Sequence, residues 1–413
     1  MDLGLPTGVR DFLPDAAARL TGVSARLGEV FAEAGYRRVV VPTIERVSVV
    51  ERGLGPASRA RLFHCVEPGT GEVVALCPDH TAQVARLWAT GLASLPPPVR
   101  VAYVGPVMRA HEEWAGRPRE VFQAGIECLG GEGPIFDAEV VSLCARALAA
   151  TGLGELTIDL GHAGFVRAFL EAAELPDEAR DEARSALAQK DAPGLETLVA
   201  RVGLPRGPTG KARRALPNLA ALYGQGTLDR ARRLASRAGV GADAIAEVEA
   251  VLDAASSLDL GARITVDLGE SRGFDYYTGL TLHAFALGAG AEVAAGGRYD
   301  DLLGRYGRPA PAVGLALDLP FLLDALGDGV AAHPGLVLAG GRRAVAEVLS
   351  AAETLRRGGH TVTVLDAGLS MAEALEWART RGADAVIAPG RGKGWTRVPV
   401  SGGARTPVDL ASL

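Results

Sequence analysis

The chain changes character twice, and those two changes constrain its architecture more than any single motif. Between residues 36 and 160 it is a series of short β-rich runs: 36–41, closed by Pro42, then 73–76, 101–104, 121–129 and 156–160. Over 162–258 such runs vanish. Ala, Leu, Glu and Arg take over at helical spacing, as in Glu178-Ala179-Arg180-Asp181-Glu182-Ala183-Arg184. Strand patterns return at 264–268, 280–285 and 292–295. Many strands with few regular helices between them predict a largely antiparallel sheet, and the block at 162–258 reads as a helical insertion into it. Inside that block, 204–217 is rich in Pro, Gly and Arg and reads as a loop. An amphipathic helix over 15–35, stopped at Gly35, precedes the first strand, and a helix over 314–326 follows the last.

Beyond a linker at 327–334 the pattern alternates: strand 336–338, helix 343–357, strand 361–365, helix 371–381, strand 385–388. That βαβαβ order predicts a small, mainly parallel α/β domain. The 413 residues exceed one ordinary domain, and the division falls between a core at 1–330 and a tail at 335–413.

Charge and cysteine usage narrow the function classes. With 43 Lys and Arg against 49 Asp and Glu the formal net charge is −6, which runs against a general nucleic-acid coat. Cys65, Cys77, Cys128 and Cys144 form no C-x-x-C pair and have no histidine at zinc spacing. They are expected to be reduced small hydrophobes in a cytoplasmic protein, and no metal or other cofactor is expected. The opening Met1-Asp2-Leu3-Gly4-Leu5-Pro6 lacks the basic and apolar stretches of a signal peptide, and no apolar run is long enough to span a bilayer.

Three segments carry chemistry. In Arg117-Pro118-Arg119-Glu120-Val121-Phe122-Gln123-Ala124-Gly125-Ile126-Glu127, strand alternation puts Gln123, Gly125 and Glu127 on one side of the sheet. They either line a small polar pocket or sit on a solvated strand face. Ser271-Arg272-Gly273-Phe274-Asp275-Tyr276-Tyr277-Thr278-Gly279 offers a carboxylate partner and aromatic walls, or a glycine turn with core tyrosines. Ala295-Gly296-Gly297-Arg298-Tyr299-Asp300 would let backbone approach a ligand closely.

In order along nearly the whole chain, these segments resemble the histidyl-tRNA synthetases. Thr7-Gly8-Val9-Arg10-Asp11-Phe12-Leu13-Pro14 is similar to the family's opening. Gly35-Tyr36 through Pro42-Thr43-Ile44-Glu45 resembles the class II dimer motif. Residues 109–127 resemble the second class II motif, 272–279 the histidine-specific motif, and 296–319 the approach to the third. The resemblance implies an α+β fold: a class II aminoacyl-tRNA synthetase core, an antiparallel sheet flanked by helices, with the helical insertion and a C-terminal α/β anticodon-binding-like domain. It also implies a histidine site. Asp79 and Thr81 would bind the amino group. Gln123, Glu127 and Arg272 would hold the other polar atoms, and Tyr276 and Tyr277 would close round the ring.

Departures from the family pattern decide what such a site can do. The synthetases end the third motif with a Glu-Arg pair whose arginine binds ATP phosphates; here Pro320 and Phe321 stand in those places. Phenylalanine cannot neutralise a phosphate and proline donates no backbone hydrogen bond. Arg109 and Arg119 remain, but His111 replaces a glutamate and Cys77 an arginine, so Arg109, His111 and Arg119 read as a vestigial ATP site. A synthetase-like chain that keeps histidine contacts and loses ATP contacts is similar to the regulatory subunits of ATP phosphoribosyltransferase, which act at the opening step of histidine biosynthesis. That resemblance implies no catalytic residues, a homodimer within a hetero-oligomer with the catalytic subunit, histidine as ligand, and no tRNA. The alternative is a histidine–tRNA ligase. A ligase activating an amino acid for another acceptor needs ATP too, and meets the same objection.

Overall fold

The computed structural model describes residues 3–55, 59, 62–110, 118–258, 260–270, 277–327, 335–365, 368–392 and 394–413. The chain divides into two compact units, Met1–Gly329 and Val330–Leu413.

The first unit is built on an eight-stranded sheet. In chain order its strands are β1 (Arg37–Arg38), β5 (Val99–Met108), β6 (Glu120–Leu129), β7 (Leu156–His162), β8 (Arg263–Val266), β9 (Leu280–Ala286), β10 (Ala294–Arg298) and β11 (Ala312–Asp318). Their spatial order is β1-β5-β6-β11-β10-β9-β7-β8. Only β1 with β5 and β7 with β8 pair in parallel; every other neighbour is antiparallel. β2 (Ile44–Arg46), β3 (His64–Val66) and β4 (Val73–Leu76) form a separate three-stranded sheet.

The period of two along β6 sorts its side chains to opposite faces. Ala124, Ile126 and Cys128 enter the main core with the helices Pro14–Glu33 and Pro134–Ala150 and the insertion. Gln123 and Glu127 point the other way, toward a smaller cluster formed by Val84, Ala85, Trp88, Tyr103, Tyr299 and their neighbours. That second face carries the candidate site. The Pro14–Glu33 helix buries Leu20, Leu27, Val30 and Phe31, a helical stripe, and ends before Gly35 at φ +82°.

Residues 163–256 are helical as expected, but the expected loop at 204–217 is in large part the helix Pro208–Leu219. Pro208 follows Gly207 at the helix start, where a missing N–H costs nothing. Pro217 lies in the last turn, and the buried stripe Ala212, Ala215, Leu216 and Leu219 outweighs its lost bond. The Arg213 guanidinium donates to the carbonyls of Ala173, Glu174, Val202 and Gly203, joining the ends of two neighbouring helices. The single helix expected over 314–326 is also corrected. Residues up to Asp318 are a central strand, whose unbroken apolar run mimics a buried helix, and the helix is Leu319–Leu326.

In the second unit β12 (Leu336–Ala339) lies between β13 (Val362–Leu365) and β14 (Ala385–Pro389), all parallel. The helices Val345–Arg357 and Met371–Thr380 connect them; a Ser370–Glu373 capping box opens the second. β15 (Trp395–Pro399) and β16 (Thr406–Val408) add two antiparallel strands in the glycine-rich end that the sequence pattern left unassigned. The expected linker at 327–334 lies outside the described residues except Gly327. Among the described residues no helix is long and apolar enough to cross a membrane. Cys77, Cys128 and Cys144 are buried, which pushes their thiols up to about 12, 11 and 12, while Cys65 is exposed, contrary to the expectation of a packed residue.

Candidate functional site

The site is organised round the Glu127 carboxylate, which is 1% exposed on the second face of β6. Thr81 Oγ1 donates to Glu127 Oε1 at 2.6 Å and Tyr103 Oη to the same oxygen at 3.3 Å. Tyr299 Oη donates to Oε2. Burial pushes the carboxyl up to about 8, against the opposing effect of the hydroxyls of Thr81 and Tyr299. The carboxyl has room because Gly314 faces it from β11. A Cβ on Gly314 would stand 1.7 Å from Glu127 Oε2.

Asp79 and Thr81 come from the start of the helix His80–Ala89. Asp79 caps it, Oδ1 accepting from Thr81 N at 2.8 Å, so the carboxylate is held at the start of the helix beside Thr81. Its charge is felt by Glu127, Tyr103 and Tyr277, all of which it pushes upward. Gln123, 7% exposed, lies two residues along β6 from Gly125 and opposite Gly105 of β5 and Asp318 of β11. Its Oε1 is buried and has no hydrogen-bond partner among the described residues. The Tyr277 ring passes over Gly297 of β10, and burial raises its phenol.

Of the residues singled out in the sequence, Asp79, Thr81 and Glu127 are joined through the backbone N–H and hydroxyl of Thr81, the Tyr277 phenol feels the charges of Asp79 and Glu127, and Gln123 shares the second face of β6 with Glu127. The solvated-strand alternative for Gln123 and Glu127 does not hold, because both are buried. Arg272, Tyr276 and His111 lie outside the described residues. Arg109 and Arg119 are described. Arg109 N donates to Arg119 O at 2.9 Å and Arg109 Nε to Pro78 O at 3.4 Å, while Arg119 N donates to Gly8 O at 2.6 Å.

Sequence reasoning missed Tyr103 and Tyr299 as donors to Glu127. Tyr299 stood in a quoted segment, but only cross-sheet geometry reveals its partner. The glycines of that segment also do something else than expected. The missing side chains at Gly296 and Gly297 leave space taken by the backbone of the flanking strands, with Gly314 O and Leu280 O each 2.3 Å from where a Cβ would be. Arg298 is structural: it pairs with Asp137 at 2.8 Å and donates to the carbonyls of Gly131 and Gly133.

The third-motif position is now explicit. Asp318 caps the helix Leu319–Leu326, Oδ1 accepting from Phe321 N at 3.2 Å; Pro320 is buried in its first turn and Phe321 packs against the main core. This turn presents no cation where a phosphate clamp would stand.

Residues 8–322 match the histidyl-tRNA synthetase family. The ATP phosphoribosyltransferase regulatory subunit of Anaeromyxobacter dehalogenans is 50% identical over 348 residues, covering 83% of this chain and 98% of that one. The one from Moorella thermoacetica is 37% identical over 385 residues, covering 92% and 97%. A solved structure of an ATP phosphoribosyltransferase regulatory subunit/histidyl-tRNA synthetase from Bacillus halodurans superposes with a TM-score of 0.78 at 29% identity, covering 94% of this chain and 98% of that one. Histidyl-tRNA synthetase from Nostoc superposes with a TM-score of 0.81 over 100% and 98% of the two chains, and at 18% identity it speaks for the fold alone. With the class II synthetase fold and these relatives together, the chain belongs to the histidyl-tRNA synthetase family and, within it, to the regulatory subunits of ATP phosphoribosyltransferase.

Proposed function

We propose that this regulatory subunit binds free histidine in the Glu127 pocket and conveys its level to a catalytic phosphoribosyltransferase subunit, as a homodimer inside a hetero-oligomer and without handling tRNA. The observation that carries the reading is the contrast between two adjacent places. Round Glu127 polar partners are retained, with Thr81, Tyr103 and Tyr299 converging on one buried carboxyl. At 318–321, a buried proline and a core-packed phenylalanine occupy the place of the phosphate clamp. A pocket for a small polar zwitterion persists where adenylate chemistry has lost its means of stabilising charge. Arg272 and Tyr276 complete the proposed histidine set, while Arg109, His111 and Arg119 are the remnant of the nucleotide side. The core at 1–330 holds this site; the tail at 335–413 is proposed to be a relic of anticodon binding.

The test pairs two measurements on the full chain. Histidine-dependent ATP–pyrophosphate exchange is expected at background, and isothermal titration is expected to show saturable histidine binding. Exchange at synthetase rates would replace this reading with a histidine–tRNA ligase.

A further inference from the structure

We infer that the open edge of β8 (Arg263–Val266) is the docking lane for an extended segment of the catalytic subunit, which joins the eight-stranded sheet as an added antiparallel strand. The inference takes from the reading above only that such a subunit is bound, not that histidine is sensed.

β8 is the last strand of the sheet and pairs on one side only, in parallel with β7. Asp267, just past its end, donates its N–H to Leu160 O at 2.8 Å. Backbone groups alternate in direction along a strand, so Arg263 and Thr265 face β7 as Asp267 does. Ile264 and Val266 turn theirs outward. Neither of those N–H groups, nor the Ile264 carbonyl, has a hydrogen-bond partner among the described residues. The chain starts to fill this lane and then leaves it. Leu268 N donates to Leu222 O at 2.9 Å, and Tyr223 forms an antiparallel bridge with Asp267. Gly224 at φ +75° and Gly226 at φ +70° then turn the backbone away into the helix Thr227–Ala238. The lane is thus paired opposite 267–268 and unpaired opposite Arg263–Val266.

That stretch is the floor of a groove. Two hollows of about 800 and 630 Å³ share Leu252 and Ile264 and together follow the strand over 261–266. Leu228, Leu252, Leu258 and Leu260 give the groove apolar walls. A row of outward N–H and C=O groups is matched by another extended backbone, which carries the same alternation of donors and acceptors. Small ligands and nucleic acids carry no such row. A second copy of this chain cannot bring its own β8 into the lane, because that edge is recessed between the same walls. What fits is a single extended segment with apolar side chains toward the leucines. Arg263 is exposed and in no ion pair among the described residues. In the antiparallel sense it stands opposite the C-terminal end of the incoming segment, and a carboxylate there completes the match.

The experiment combines the full chain with the catalytic phosphoribosyltransferase subunit of the same organism and takes two readings. Hydrogen exchange followed by mass spectrometry should show peptides spanning 261–267 exchanging at least about tenfold more slowly in the complex than in the free chain. Ile264→Pro removes one outward N–H and puts a ring in the lane, while the ladder to β7 keeps its bonds. Isothermal titration should show this variant associating roughly tenfold or more weakly, with a melting temperature close to the parent's. If circular dichroism shows it unfolded, Leu252→Lys, which sets a charge on the groove wall, is read in its place. Unchanged association in a folded variant would overturn the inference, as would protection confined to other segments. An unsubstituted chain that does not bind the catalytic subunit at all would remove the partner reading and the lane together. Association without protection at 261–267 removes only the lane.

Discussion

At the scale of single residues, Glu127 concentrates the energetics of the site. Its carboxyl titrates near 4.5 when exposed and about 8 in the folded chain, because burial disfavours the charged form. Between those values the folded protein holds a proton that the unfolded chain has released. Stability therefore falls as pH rises from about 4.5 toward 8 and levels off above. Glu127→Gln removes that titration while keeping an acceptor for the three hydroxyls. Its melting temperature should match the parent near pH 4.5 and exceed it by a growing margin up to about pH 8; parallel curves would refute the buried-acid account. Gly314→Ala acts on the same group by crowding. With a methyl placed 1.7 Å from Oε2, the carboxyl or the strand must move, at a cost of roughly 1–3 kcal/mol. Chemical denaturation measures that cost, and titration should show histidine affinity reduced at least about tenfold, since the carboxyl leaves its hydroxyl cradle. Normal affinity in this variant would place the ligand elsewhere.

At the scale of elements, the turn from β11 into the helix Leu319–Leu326 is one of the places where the proposed loss of adenylate chemistry is written into the fold. The Asp318 cap and the packed Phe321 make that turn a piece of core. Restoring the pair, Pro320→Glu with Phe321→Arg, should leave pyrophosphate exchange at background. The arginine would have to leave the apolar site of Phe321, and Cys77, buried and uncharged, stands where the family keeps another cation. Exchange rising well above background in the double variant would show that this turn alone silences the site. The strands that carry the candidate site were legible in the sequence because period-two alternation survives on β6, where one face is apolar core and the other carries the buried polar Gln123 and Glu127. β11 was not legible, because a strand buried on both faces loses that alternation. The Pro208–Leu219 helix was hidden by prolines that stand where helices tolerate them. Tyr103 and Tyr299 were invisible as partners of Glu127 for a different reason: one lies 24 and the other 172 residues from it, and only the sheet brings them together.

At the scale of the whole molecule, two surfaces must cooperate if histidine is to regulate a partner. One is between copies of this chain. Val40, Ile44, Val66 and Val73, on and beside the small β2-β4-β3 sheet, are each more than half exposed. An isologous dimer covering them is the expected state, so analytical ultracentrifugation should give twice the chain mass, and Ile44→Glu should shift the equilibrium toward monomer. A monomer at micromolar concentration would count against that. The other coupling is to the catalytic subunit that the relatives' name requires. If histidine in the Glu127 pocket inhibits that partner, the two equilibria are linked and the linkage is reciprocal. Glu127→Ala leaves Thr81, Tyr103 and Tyr299 without their shared acceptor, which should weaken histidine binding by roughly ten- to a hundredfold. The histidine concentration that half-inhibits the assembled transferase should rise by the same factor, while the uninhibited rate stays within about twofold of normal. Arg272→Ala should behave alike. Titration of the isolated subunit and inhibition curves of the assembled complex, taken with the same variants, make the comparison. Binding abolished with inhibition unchanged would move the sensor to the catalytic subunit, and the pocket would then persist for assembly rather than for feedback.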